Sequence, residues 1–434
     1  MRVIISATHR SSGKTTITIG LCAALAQKGL VVQPFKKGPD YIDPMWIGYA
    51  AGRDCHNLDI FMMGEDGTFN AFQSAASNAD LSIVEGNKGF YDGLDIDGRD
   101  STCHLAQLLK SPVILIVDAR GMTRGIAPLL LGYRQFEPDN MIRGVILNMV
   151  AGSRHEKKLR EAIEHYCGLE VIGVLPATGD IEIKQRHLGL IPIREDNQMV
   201  SIVDDIARIV KEHVNLERVI GIAGDAQVLP GIKAEKTSLS PLSPSIRLGV
   251  ARDQAFTFYY PENLNALCQA GASIIPFNTL TDEHLPAVDG LYFGGGFPEM
   301  FLEGLAQNKS LLEDIRAAIK RGMPVYAECG GLMYLSGGIS YNGIIREMVG
   351  ALPCDVEVFA KPQGHGYVIM EQTGDAPWSG FDGQGRGHEF HYSRICNPQG
   401  LTFAYNIIRG KGVNGKCDGI VYKNVIAGYV KWLL

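Results

Sequence analysis

A short apolar strand, a loop ending in Gly-Lys and an apolar helix open this chain, and no other stretch constrains its fold as strongly. Arg2-Val3-Ile4-Ile5-Ser6 reads as a buried strand. Thr8-His9-Arg10-Ser11-Ser12-Gly13-Lys14-Thr15-Thr16 follows directly, and an apolar helical pattern covers 17–26. Strand, loop and helix stand in the order and spacing of a P-loop, although Thr8 occupies the place of the pattern's first glycine. Backbone N–H groups at such a turn face phosphate oxygens, and the helix dipole favours negative charge there. Ser12, Gly13, Lys14, Thr15 and Thr16 are the expected nucleotide contacts. Lys14 reaches the β- and γ-phosphates, and the Thr15 hydroxyl binds Mg²⁺. ATP with Mg²⁺ is the expected ligand.

A chain of 434 residues exceeds one ordinary core, so two domains are expected. Short apolar runs at 31–35, 81–84, 113–117, 143–148 and 171–175 alternate with helical stretches such as 156–166. That alternation predicts a parallel sheet flanked by helices. A helical segment at 201–214 closes the unit. The stretch 233–245 is rich in Lys, Ser and Pro and reads as a linker. A second α/β pattern begins with the strand at 247–251. The expected division is therefore an ATP-binding domain over 1–232, a linker over 233–245 and a second domain over 246–434. A net charge of −6 argues against nucleic acid or an anionic membrane as the main partner. No apolar run has the length of a membrane span, and the strand at residue 2 leaves no room for a signal peptide. Nine cysteines without paired metal spacing suit reduced thiols in the cytoplasm.

Lys36-Lys37-Gly38-Pro39-Asp40-Tyr41-Ile42-Asp43-Pro44 follows the second strand, where open α/β sheets bind ligands. Its lysines and aspartates suit phosphate, Mg²⁺ and an anionic substrate; a solvated turn set by Gly38-Pro39 is the plainer alternative. Glu85-Gly86-Asn87-Lys88-Gly89-Phe90-Tyr91-Asp92-Gly93 follows a strand in the same way, with Glu85 placed to hold Mg²⁺ directly or through water. Asp118-Ala119-Arg120-Gly121-Met122-Thr123-Arg124 supplies arginines for phosphoryl or carboxylate groups. Asn148, at the end of its strand, is a candidate for the nucleobase or a simple turn residue.

In the second half, Tyr326-Ala327-Glu328-Cys329-Gly330-Gly331 places a cysteine on a tight strand-to-helix turn with small neighbours. The helix N-terminus is expected to favour its thiolate. Gly294-Gly295-Gly296 is expected to offer N–H groups to an oxyanion, through Gly294 and Gly295. Gly387-His388-Glu389-Phe390-His391-Tyr392-Ser393 carries two histidines, expected to bind substrate or couple the domains rather than a metal.

These motifs occur in an order that closely resembles the cobyrinate a,c-diamide synthase family of glutamine amidotransferases, over nearly the whole chain. The resemblance implies a dethiobiotin-synthetase-like ATP domain followed by a flavodoxin-like class I glutaminase domain, each a mostly parallel sheet flanked by helices. It implies activation of tetrapyrrole carboxylates as acyl phosphates and amidation by ammonia from glutamine or by free ammonium. Lys14, Thr15 and Glu85 would then serve ATP and Mg²⁺. Lys37, Asp40, Tyr41, Asp43, Tyr91, Asp92, Arg124, His388 and His391 would serve the substrate and its activation, and Cys329 would be the glutaminase nucleophile. Two departures matter. The family's glutaminase His ordinarily falls in a Y-L-H pattern near the C-terminus, and Lys431 stands at that place here. Weak glutamine hydrolysis is therefore expected, with ammonium as donor. Asn87-Lys88 replaces a smaller apolar pair and resembles relatives that amidate sirohaem-type rings. A non-catalytic ATP-binding protein of the partitioning type is the competing class, and an assembly of two copies is left open.

Overall fold

In this computed structural model the described residues are 1–137, 139–177, 185–186, 189–190, 199–229, 246–378 and 383–433. They form two compact units, Met1–Glu235 and Lys236–Leu434. The expected linker, 233–245, lies outside the described residues.

The first unit runs β1 (Arg2–Ala7), α1 (Lys14–Gln27), β2 (Val32–Lys37), α2 (Ile42–Ala51), β3 (His56–Leu58), α3 (Ile60–Ala76) and β4 (Leu81–Glu85). It continues with α4 (Thr102–Leu108), β5 (Val113–Asp118), α5 (Ile126–Phe136), β6 (Ile142–Val150), α6 (Ser153–Cys167) and β7 (Glu170–Pro176). A two-stranded ribbon, β8 (Gln185–Arg186) and β9 (Gly189–Leu190), precedes α7 (Met199–His213) and α8 (Leu216–Gly224). Seven strands form one sheet in the order β3-β2-β4-β1-β5-β6-β7, and every pairing is parallel. Strands β1, β4 and β5 are apolar almost throughout because helices cover both faces. Helix α1 packs against α2, α7 and the sheet, and Ile17 to Leu25 are buried without a break. An apolar surface all round is what such a doubly covered helix needs. The loop before it is thereby held at the carboxyl edge of β1, between β4 and β5.

The second unit begins β10 (Ile246–Ala251), α9 (Pro261–Gln269), β11 (Ala272–Phe277), β12 (Gly290–Phe293), α10 (Leu302–Gln307), α11 (Lys309–Lys320), β13 (Val325–Glu328) and α12 (Gly330–Leu335). Then follow β14 (Gly338–Tyr341), β15 (Ile344–Glu347), β16 (Asp355–Val358), β17 (Gly364–Gln372), β18 (Gln384–His391), β19 (Ser393–Cys396), β20 (Thr402–Arg409), β21 (Cys417–Tyr422) and β22 (Val425–Gly428). The main sheet has the order β11-β10-β12-β13-β22-β21-β20-β17-β18. Its first five strands are parallel and the rest antiparallel. A smaller sheet, β15-β14-β16-β19, lies beside it. The parallel half is covered by α11 and α12, whose Leu311, Ile315, Leu332 and Leu335 pack on Phe293, Val325 and Ala327. This arrangement puts the β13–α12 turn at the carboxyl edge of the parallel strands, where α/β sheets place ligand chemistry. All nine cysteines are unpaired, and no helix among the described residues is long and apolar enough to cross a membrane.

Candidate functional site

The phosphate loop is built by backbone conformation. Gly13 caps α1 with φ 90°, a left-handed angle that a side chain rarely adopts, and a Cβ there would stand 2.3 Å from Asn148 Nδ2. Asn148 Nδ2 donates to the Ser12 carbonyl at 3.0 Å, and its Oδ1 accepts from its own chain at Met149 N at 2.9 Å. Its amide group is thus committed to holding the loop. That geometry lends no support to the base-reading role expected of it. Ser12 is buried, with its hydroxyl donating to the His9 carbonyl at 2.8 Å. Thr16 is half-buried in the first helical turn.

Lys14 Nζ donates to the carbonyls of Lys88 at 2.6 Å and His9 at 3.3 Å. Lys88 holds a left-handed φ of 51°. Burial pushes the Lys14 ammonium down to about 8, against the pull of Glu85 and Asp43.

The carboxyl ends of β2 and β4 converge on the Thr15 hydroxyl, which lies 2.8 Å from Glu85 Oε1 and 3.1 Å from Asp43 Oδ2. Lys36 stands between the two acids, 2.6 Å from Asp43 Oδ2 and 2.7 Å from Glu85 Oε1, with Asp40 Oδ2 at 3.7 Å. Burial alone would lower the Lys36 pKa, but the three carboxylates hold it well above the ordinary lysine value. Burial likewise works to raise Asp43, and Lys36 more than offsets it, so Asp43 stays below the usual carboxylate range. Glu85 is fully buried and raised by that burial, and its Oε2 has no hydrogen-bond partner among the described residues. Asp40 is pushed up to about 7 by burial and then by Asp43. Its Oδ1 caps α2, accepting from Ile42 and Asp43 N–H at 3.0 and 3.1 Å. Tyr41 is buried at the same helix entry. Lys36 was legible as part of the motif but not as its centre; the signal was a lysine ending a strand beside a strand that ends in glutamate.

The donor set tests the fit of a divalent ion. One hydroxyl and two carboxylates, one with an unpartnered oxygen, are the hard oxygen ligands that Mg²⁺ takes, with phosphates and waters completing its shell. Thr15, Asp43 and Glu85 fit that role.

Other expected residues are engaged elsewhere. Lys37 forms a buried ion pair with Asp100 at 3.1 Å. Tyr91 donates its hydroxyl to the Tyr133 carbonyl, and Tyr133 donates to the Thr8 carbonyl. That chain braces the phosphate loop. Asp92 is exposed, with Oδ2 accepting from Gly89 N–H at 2.9 Å. Arg124 is exposed and lies over the Tyr166 ring, 5.2 Å from its centre.

In the second unit, Cys329 has φ 50° and ψ −96°, a strained turn between β13 and α12. Its N–H donates to Gly428 O at 2.7 Å. A Cβ on Gly331 would meet the Phe293 carbonyl at 2.5 Å, so the helix lies directly on β12. This is the geometry of a nucleophile turn. Burial raises the thiol, and the nearby Lys431 ammonium pulls the other way. Gly294 N–H donates to the Tyr259 hydroxyl at 2.9 Å, and Gly295 N–H donates to Phe258 O at 3.3 Å.

Lys431 is buried, its Nζ 5.5 Å from the Phe258 ring centre. Its main chain pairs with His388, each N–H donating to the other's carbonyl at 2.9 Å. His388 and His391 are three residues apart on β18, so they face opposite sides. The His388 ring lies beside Tyr367 and His365, with centres 5.8 and 6.1 Å apart. The His391 ring stacks on Tyr429 at 3.7 Å, with Nδ1 2.8 Å from Ser393 O and Nε2 3.6 Å from Glu389 Oε2.

A P-loop unit with a carboxylate-lined strand edge, joined in one chain to a unit with a cysteine nucleophile turn, defines an ATP-dependent amidotransferase. Comparison with known proteins agrees. Residues 3–191 match the CobQ/CobB/MinD/ParA nucleotide binding domain, and 247–433 match the CobB/CobQ-like glutamine amidotransferase domain. A cobyrinate a,c-diamide synthase of Magnetococcus marinus is 48% identical over 433 residues, 99% of this chain and 93% of that protein. The synthases of Methanosarcina acetivorans and Priestia megaterium are 41% and 39% identical, covering 99% of this chain and 91% and 93% of theirs. The chain belongs to the cobyrinate a,c-diamide synthase family.

Proposed function

We propose that this protein amidates the a- and c-side-chain carboxylates of cobyrinate, using ATP, with ammonia from glutamine or free ammonium as nitrogen source and with Lys431 weakening the glutamine route. The observation that carries the ATP half is the convergence of Lys14, Thr15, Asp43 and Glu85 at one strand edge. A substrate carboxylate oxygen attacks the γ-phosphorus, ADP leaves, and ammonia then displaces phosphate from the acyl carbon, losing a proton. Lys14, now on two neutral carbonyls, would transfer to phosphate oxygens and stabilise the charge that develops on the transferring group. Thr15, Asp43 and Glu85 would hold Mg²⁺, which neutralises phosphate charge when bound. Asp40, at the mouth of this cluster with a raised pKa, is suited to take the proton that ammonia loses.

The donor assignment rests on Lys431. A cysteine glutaminase needs one group to take the thiol proton and return one to departing ammonia. A lysine ammonium, with an ordinary pKa near 10.4, shuttles protons poorly at neutral pH.

A sirohydrochlorin-type ring is the second reading. Asn87 and Lys88 favour it, because both lie inside the site: Lys88 O accepts from Lys14, and Asn87 Nδ2 abuts Gly38. Incubating both ring acids separately with ATP, Mg²⁺ and ammonium, and comparing kcat/KM, decides between them. Cobyrinate should be the better substrate by at least tenfold, and the reverse order would move the assignment to the second ring.

A further inference from the structure

Glu328 immediately precedes the nucleophile yet faces away from it. On β13, Val325 and Ala327 join the core under α11 and α12, so Tyr326 and Glu328 turn to the other face of the sheet, toward α9. There a cavity of about 350 Å³ is lined by Tyr292, Tyr326, Trp378, Tyr405 and Trp432, with Glu328 among them. That size is at the small end of ligand pockets. The rings are arranged as neighbours, Tyr292 to Tyr326 at 5.6 Å and Tyr405 to Trp432 at 5.3 Å between centres. Glu328 is buried at 2% exposure. Its Oε2 accepts from the Tyr292 hydroxyl at 3.1 Å, and the Tyr326 hydroxyl, the Trp432 N–H and the Lys431 ammonium also bear on the carboxylate, whereas Oε1 itself has no hydrogen-bond partner among the described residues.

We propose that this cavity binds a small organic cation, its ammonium head on Glu328 Oε1 and its apolar body between the tyrosine and tryptophan rings. A buried carboxylate oxygen without a partner carries a large desolvation cost, which a ligand N–H donor relieves. Aromatic faces attract a cation through their quadrupole. Among the described residues no lysine or arginine lines the cavity. An anion would face Glu328 across a poorly hydrated space, and a neutral hydroxyl would gain the hydrogen bond without the charge term. Burial raises Glu328 to about 7, and Lys431, which is not among the lining residues, works to keep it ionised. The inference does not depend on which ring or nitrogen donor the enzyme uses.

Two of the three tryptophans line the cavity, and the third, Trp46, is fully buried in the first unit. Tryptophan fluorescence of the full chain therefore reports occupancy. Titrations with phenethylammonium chloride, 2-phenylethanol and 3-phenylpropionate, at constant ionic strength, test the proposal. A saturable change with the amine is expected, at least tenfold weaker with the alcohol and absent with the carboxylate. Glu328→Gln should bring the amine down to the affinity of the alcohol, and Leu267→Phe, which narrows the cavity from α9, should weaken both. Equal binding of amine and alcohol to the wild-type chain, or no saturable change with the amine, overturns the proposal without reference to any variant. Unchanged amine affinity in a folded Glu328→Gln protein does so as well.

Discussion

Lys36 is the residue on which the first site turns. Removing its charge by Lys36→Met leaves Asp43 and Glu85 buried together without a countercharge. Breaking a buried ion pair in this way typically costs about 3–5 kcal/mol. Denaturant unfolding of the nucleotide-free protein should show a loss of that order, whereas an unchanged midpoint would mean the acids are solvated. Asp40 makes a prediction in pH. Its carboxyl titrates at about 7 in the folded protein against an ordinary 3.8. Between those values the folded state keeps a proton that the unfolded chain has released, so Asp40's contribution to stability is present below 3.8 and is lost as pH rises through 7. Wild-type protein should lose more stability between pH 5 and pH 8 than Asp40→Asn, whose Oδ1 can still cap α2. Parallel pH dependence in the two proteins would contradict the burial argument. The identities of Lys14, Thr15, Asp43 and Glu85 were legible from sequence because each follows a strand end in a known spacing. The commitment of Lys37 to Asp100, and of Gly294 and Gly295 to Tyr259 and Phe258, was not. Those partners lie 35, 37 and 63 residues away in the chain for Gly294–Tyr259, Gly295–Phe258 and Lys37–Asp100, and no local pattern marks such pairings.

The elements differ in how clearly the sequence marks them. Strands β1, β4 and β5 are continuous apolar runs with turn residues at both ends, as buried parallel strands require. The antiparallel strands from β14 onward carry mixed burial, with polar residues and glycines interleaved, as in β17 and β18. Their pairing is set by partners across the sheet, so periodicity alone did not reveal them. The β13–α12 turn was legible through its small residues, and its strain is visible at Cys329. This turn supplies the third prediction. Lys431→His should raise glutamine hydrolysis by roughly 10²–10⁴-fold, the usual worth of general acid–base help, where the imidazole reaches Cys329. Cys329→Ser should change ammonium-dependent turnover little. The donor assignment fails if the wild-type enzyme hydrolyses glutamine at the rate of the Lys431→His variant, or if Cys329→Ser abolishes turnover with ammonium.

At the scale of the whole molecule, two α/β units in one chain divide the labour. One gathers phosphate-binding groups at a strand edge, and the other carries a cysteine turn with a lysine in the place expected of its histidine base. The order of the motifs along the chain conveyed this division, but the contacts that Asn87 and Lys88 make in the folded site follow from no local pattern. The central claim is ATP-driven amidation at the Lys14 site. Its most direct test is mass spectrometry of cobyrinic acid after incubation with the protein, ATP, Mg²⁺ and ¹⁵N-labelled ammonium, with Lys14→Ala in parallel. Two labelled amides should appear with the wild-type protein, only when ATP is present, and none with Lys14→Ala. An unmodified ring acid in the wild-type reaction, or full amidation by the Lys14→Ala protein, would contradict the account.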